Sequence, residues 1–495
     1  MNRSAGILLP ISSLPSPYGI GCFDSSAYAF VDFLAEAGQS YWQILPLGPT
    51  GYGDSPYQSY ATFAGNPYYI DLEDFIRRGW LTREECDEAD LQASPHRVDY
   101  ERQYNRRFPL LRRAFERSHV QNDPDYVSFC EETPWLSDYA LFMALKDQHH
   151  GAAFCDWEEG LRCRHPEALA QARARLRASI DFYAFLQYHF YRQWSALKAY
   201  ANGKGVHVIG DIPIYVAYDS ADVWSHPELF QLDGGERPTA VAGCPPDGFS
   251  ADGQLWGNPL YAWPAHAETG YAWWIARLSH CFRLYDVVRI DHFRGFDEYY
   301  AIPYGHKTAR EGRWEQGPGI SLFQAVKDAL GHREVIAEDL GFITDSVRQL
   351  VRDSGFANMK VLEFAFDARD TGGSSEHMPH HYGENCVAYT GTHDNQTLAS
   401  WLTTISEPER AQVRDYLCDH FTPQHLLGKS LIALIMRSKA RLCVVPLQDW
   451  LGLDDESRIN TPSTAEGNWQ WRLSAGSTND SLAREMRYMT KIYGR

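Results

Sequence analysis

Val287-Val288-Arg289-Ile290-Asp291-His292-Phe293-Arg294-Gly295-Phe296 is the stretch from which this chain is best read. Val287 to Ile290 has the β-branched enrichment of a short buried strand, and Gly295 ends the regularity. The two-residue period of a strand puts Arg289 and Asp291 on the same side. Asp291 therefore stands where a strand gives way to a loop, which in an α/β barrel is the rim where chemistry is done. A structural reading competes, in which Asp291 pairs with Arg289 or Arg294 as bracing.

Seven further apolar runs share this design. Residues 6–9, 43–47 and 206–213 precede the opening stretch, and residues 334–341, 360–364, 387–390 and 442–449 follow it. Helix-period segments at 23–37, with Asp24 as N-cap, and at 271–285, 321–330, 344–354 and 426–437 alternate with them. Eight strands alternating with helices predict an α/β fold, a (β/α)8 TIM barrel, with 1–495 as one catalytic domain. Two long interruptions break the beat. Residues 65–180 read as a mostly helical insertion after the second strand, with helices at 82–87, 100–115, 134–148 and 166–179; a helix at 181–201 returns to the barrel. Residues 213–265 are rich in Gly, Pro and Asp, including Cys244-Pro245-Pro246-Asp247-Gly248-Phe249-Ser250, and read as a loop-rich lid or substrate wall. The loop at 51–60 is polar and aromatic, the composition of a binding loop.

The formal charge of −18 over 495 residues argues against a nucleic-acid or anionic-membrane surface. Fifteen Trp and 29 Tyr supply many flat apolar faces with polar edges, suited to sugar rings or to bulk packing. Ten cysteines without a Cys-x-x-Cys pair point to a reducing compartment, hence the cytoplasm. No apolar run approaches a membrane span, and the N-terminus lacks a signal-peptide cleavage site. No histidine has metal-ligand spacing and no Gly-rich phosphate fingerprint follows a strand, so neither metal nor cofactor is expected.

Three carboxylates fall at strand ends: Asp291, Glu338 and Asp394. Barrel strand ends converge on one mouth, so wide sequence gaps do not keep them apart. Acetal exchange needs two: one attacks the anomeric carbon, while the other stays protonated to serve the leaving oxygen and then deprotonates the acceptor. Nearby like charges raise one pKa, which keeps that proton in place. Competing readings stand beside this. Strand-end carboxylates also cap helices, and Asp394 precedes residues 395–401, which have helical character. Arg289 is placed to hold Asp291 ionised. His292 and His393 are candidates for sugar hydroxyls, or else satisfied structural residues.

The segments Ser55-Pro56-Tyr57-Gln58, Gly210-Asp211-Ile212-Pro213, Asp252-Gly253-Gln254-Leu255-Trp256-Gly257-Asn258-Pro259, Arg289-Ile290-Asp291-His292-Phe293-Arg294, Ala337-Glu338-Asp339-Leu340-Gly341, Gly391-Thr392-His393-Asp394 and Asn460-Thr461-Pro462 together resemble the amylomaltases. These are the bacterial 4-alpha-glucanotransferases of glycoside hydrolase family 77, in the alpha-amylase clan. The resemblance implies Asp291 as nucleophile, Glu338 as acid/base and Asp394 as the third carboxylate. It also implies substrate contacts from Arg289, His292, His393, Asp211, Tyr57, Ser55, Trp256 and Asn460. The expected partners are maltodextrins and other α-1,4-glucans, with no nucleic acid and no membrane, and the chain is expected to be a monomer or weak homodimer. Segment transfer and cyclic glucan formation are the implied reactions; a hydrolase of the same clan and a noncatalytic glucan-binding barrel are the competing functions. One departure is visible: Ser463 follows Asn460-Thr461-Pro462, where the family often has glycine.

Overall fold

The computed structural model describes residues 3–51, 53–246, 251–367, 375–464 and 466–495; Tyr52 of the expected binding loop and residues 247–250 of the expected lid lie outside them. The strands are β1 (Ser4–Leu8), β2 (Tyr41–Gln43), β3 (His207–Ile212), β4 (Ala240–Cys244), β5 (Gln254–Pro259), β6 (Val287–Ile290), β7 (Glu298–Pro303), β8 (Arg313–Gln316), β9 (Val335–Ala337), β10 (Ala357–Val361), β11 (Cys386–Tyr389) and β12 (Leu442–Pro446). Eight of them close into a barrel in the order β1-β12-β11-β10-β9-β6-β3-β2, with parallel neighbours throughout. This is the expected (β/α)8 architecture. The apolar runs overshoot the strands at their C-terminal ends. β2 stops at Gln43 because Pro46 cannot donate to a ladder, and β9 stops before Glu338, whose carbonyl accepts from Phe293 N at 3.0 Å.

The strand period sorts side chains between two apolar layers. Val287 packs in the barrel lumen with Ile209, Ile336, Met359, Val387 and Val444, whereas Val288 and Ile290 pack outward with the helices. Parity then carries Arg289 and Asp211 inward, and the register pairs Asp211 directly with Arg289. Gly210 has a packing reason: a Cβ there would lie 2.1 Å from the Tyr285 ring, so only glycine lets that ring close on β3.

Asp24 caps the first helix, Ser25–Glu36, by accepting from Ser26 N. Between β2 and β3 the chain is mainly helical. Thr82 and Glu85 form a reciprocal capping box on Arg83–Glu88. The helix expected at 100–115 is three pieces, Tyr100–Arg102, a π-helical turn at Gln103–Arg107, and Phe108–Ser118. Pro109 has no N–H for the preceding turn and its ring crowds that turn's carbonyl, so the ladder widens there. The expected break near residue 180 lies instead at Leu176, between Pro166–Arg175 and the 27-residue helix Arg177–Gly203. No helix among the described residues is long and apolar enough to cross a membrane.

The segment 213–265 is more ordered than its composition suggested. It contains the helix Ala221–Ser225 and strands β4 and β5, which join β7 and β8 in an antiparallel sheet of order β5-β4-β7-β8. Half of that sheet comes from the loop after β6, so composition within 213–265 could not reveal the pairing of β4 with β7.

Candidate active site at the mouth of the barrel

Asp211 and Arg289 form the floor of the mouth. Arg289 Nη1 donates to Asp211 Oδ1 at 2.8 Å and Oδ2 at 2.6 Å, with both side chains almost wholly buried. The same nitrogen lies 3.0 Å from Asp291 Oδ1. The sequence offered catalysis and bracing as alternatives for Asp291; Arg289 does brace it, and the same contact fixes the direction of its carboxyl. Asp291 keeps 29 % of its side chain open to the mouth.

Glu338 reaches the same place from β9. Its Oε2 accepts from His292 N at 2.6 Å and its Oε1 from Leu340 N at 2.9 Å. His292 holds a left-handed backbone, φ +51°, costly for a residue with a Cβ. The bond to Glu338 and the edge-on packing of the His292 ring against Trp256, centroids 4.7 Å apart, offset that cost. Desolvation, and then the charge of Asp291, push the Glu338 carboxyl up to about 8. Asp291 is also raised by desolvation, but Arg289 opposes the rise. The pair therefore titrates in two steps, Asp291 losing its proton first. One carboxylate and one carboxylic acid, one residue's reach apart, have the composition needed for attack on an acetal carbon with protonation of the departing oxygen. Burial, with the charge of Arg294, holds His292 well below the usual imidazole range, so its ring is neutral.

Asp394 enters from the loop after β11. Asn460 Nδ2 donates to its Oδ1 at 2.6 Å, Arg458 Nη2 donates to its carbonyl at 2.6 Å, and His393 Nε2 lies 3.3 Å from Oδ1. The helix-cap alternative fails: the following helix is Leu398–Thr404, and Thr397 caps it. Tyr57 joins the two halves of the mouth. Its hydroxyl donates to Asp211 Oδ2 at 2.9 Å, and its ring stacks on His393, centroids 5.1 Å apart and 17° between planes. Ser55 contributes locally; its hydroxyl accepts from Tyr57 N at 3.3 Å and shapes that loop. Trp256 is held by its Nε1 donating to Gln254 Oε1 at 3.0 Å.

Several contributors escaped the sequence reading. Gln43 accepts from the Tyr389 hydroxyl at 2.8 Å across the lumen, Trp469 packs beside Tyr57 and His393, and Arg458 holds the Asp394 backbone. None stands in a local pattern that marks it. Glu363 did carry a signal, a lone acid in the apolar run Lys360-Val361-Leu362-Glu363-Phe364. Among the described residues no group of three or more His, Cys, Asp or Glu is arranged to hold a metal ion.

The glycoside hydrolase family 77 model, described as 4-alpha-glucanotransferase, matches residues 9–478. The chain belongs to this family. It is 46 % identical to the 4-alpha-glucanotransferase of Thermus thermophilus, over 99 % of this chain and 98 % of that protein. It is 43 % identical to that of Clostridium butyricum, over 98 % and 99 % of the two chains. Its fold superposes on the amylomaltase from Streptococcus agalactiae in complex with acarbose with a TM-score of 0.96, at 39 % identity, covering 100 % of this chain and 99 % of that one. The departure from the glucanotransferase pattern at Ser463 has a structural consequence: Ser463 adopts φ +65°, the left-handed region that favours glycine.

Proposed function

We propose that this 4-alpha-glucanotransferase disproportionates α-1,4-glucans by a retaining double displacement. Asp291 attacks the anomeric carbon as Glu338 gives its proton to the leaving glycosidic oxygen. The reducing-end fragment departs, leaving a β-glycosyl ester on Asp291. Glu338, now ionised, takes the proton of an acceptor 4-OH, which attacks the ester from the opposite face and restores the α-linkage. Asp394, held by Asn460, binds sugar hydroxyls and favours the flattened ring of the oxocarbenium-like transition state. His292, His393, Tyr57 and Trp256 line the bound sugars. The same cycle closes a ring when the acceptor is the donor's own far end.

The observation carrying this reading is the Glu338–His292 bond, which holds the acid one residue from the nucleophile and favours the short carboxyl separation of retaining enzymes. The ten cysteines, none in a disulfide, support a reducing, cytoplasmic setting. Maltotriose supplies the test. A ladder of longer and shorter maltodextrins is expected, whereas reducing-end release without lengthened products would make the chain a hydrolase. Asp291→Asn is expected to abolish the ladder while retaining glucan binding; normal turnover would refute the nucleophile assignment.

A further inference from the structure

Behind Asp394 a path of hydrogen bonds leads away from the mouth to the buried carboxyl of Glu363, which forms no ion pair among the described residues. Asn395 Nδ2 donates to Glu363 Oε2 at 3.1 Å. Asn395 Oδ1 accepts from both Thr392 N and Thr392 Oγ1, each at 2.9 Å. Thr392 Oγ1 in turn accepts from Asp394 N at 3.2 Å. The start of the path is anchored, since Glu363 N donates to Thr390 O at 3.2 Å. Gly391 records how tightly the parts fit: a Cβ there would lie 2.9 Å from Asn395 Cβ and 3.0 Å from Glu363 Oε1.

We propose that Glu363 is a positioning residue for the transfer reaction, setting the backbone that carries His393 and Asp394 through Asn395 and Thr392. It touches no substrate; it acts as a fixed acceptor for Asn395. Glu363 Oε1 has no hydrogen-bond partner among the described residues. An ionised oxygen in that state would be costly, and desolvation with the neighbouring Asp449 raises the carboxyl well above its usual range. The working form is thus the neutral acid, whose shape and acceptor an amide reproduces.

This inference rests on Asp394 acting in turnover. Maltotriose disproportionation is measured at neutral pH together with thermal unfolding. Glu363→Gln is expected to keep kcat within about twofold. Glu363→Leu, similar in bulk but without an acceptor, is expected to lower kcat about tenfold or more with KM within about twofold, since it disturbs Asp394 rather than the longer glucan contacts. Asn395→Ser breaks the same path at a half-exposed position, so it reports even if Glu363→Leu does not fold. Its kcat loss is expected to be similar, and adding Glu363→Leu to it to cost little more. Glu363→Leu or Asn395→Ser with normal kcat would overturn the proposal, as would Glu363→Gln losing as much as Glu363→Leu, or fully additive losses. Asp394→Asn separates the two levels. Normal turnover there removes the reading beneath, whereas an inactive Asp394→Asn beside a fully active Glu363→Leu removes only the positioning role.

Discussion

Replacing Arg289 with methionine tests the floor of the mouth. The substitution keeps much of the side-chain length but removes the group that contacts Asp211 at 2.6 and 2.8 Å and Asp291 at 3.0 Å. Asp211, wholly buried, then retains only the Tyr57 hydroxyl as a side-chain partner among the described residues. Breaking a buried pair by removing one member costs about 3–5 kcal/mol. An unfolding entropy of roughly 2.1 cal/mol/K per residue, taken over the whole chain, is about 1 kcal/mol/K, so calorimetry should show Tm falling by about 3–5 °C. Chemistry should move as well. Arg289 opposes the rise of the Asp291 carboxyl, so its removal sends that carboxyl further up. The acid limb of kcat/KM for maltotriose then shifts to higher pH, each unit costing about tenfold on the acid side. Arg289 also holds the Glu338 carboxyl down, so the alkaline limb moves the same way and the window for one ionised and one protonated carboxyl shifts to higher pH. An unchanged Tm with an unmoved acid limb would refute this account of Arg289.

Two further substitutions test the acid and the loop at Ser463. Glu338→Gln should lose at least about a thousandfold in kcat on maltotriose and lose the alkaline limb, while a glucosyl donor whose leaving group needs no proton recovers its first step; equal loss on both donors would refute the acid role. Because the raised Glu338 carboxyl subtracts stability as pH climbs from about 4.5 toward 8, the Tm of the parent should fall across that range more steeply than that of this variant. Ser463→Gly should raise Tm by up to about 1 °C by relieving roughly 1 kcal/mol of left-handed strain, with turnover within twofold; a lower Tm would show that the serine side chain stabilises the loop.

The barrel was legible because its information is local. Short, nearly continuous apolar runs, several of them closing on a carboxylate and all separated by longer segments, specify parallel strands buried on both faces. The two-residue period of a strand carried Arg289 and Asp291 to one side before any fold was known, and the Asp24 cap and the Thr82–Glu85 box are equally short-range. Segments whose partners lie far along the chain were less legible. β4 pairs on one side with β5, close along the chain, but on the other with β7, which lies beyond β6, and the break at Leu176 carries no Gly or Pro to mark it.

The candidate site divides along the same line. Residue types and strand ends marked Asp291, Glu338 and Asp394 without coordinates, because carboxylates at barrel strand ends are a local pattern. Their division of labour is not local. Asp291 is braced by an arginine that also holds Asp211 from β3, and Glu338 is raised by burial and then by a charge 47 positions away. Asp394 is held by an asparagine 66 residues later. Hydrogen bonds and charge interactions act over a few ångströms of space, whatever the distance along the chain. Closure of the barrel therefore makes one carboxyl the ion and the other the acid.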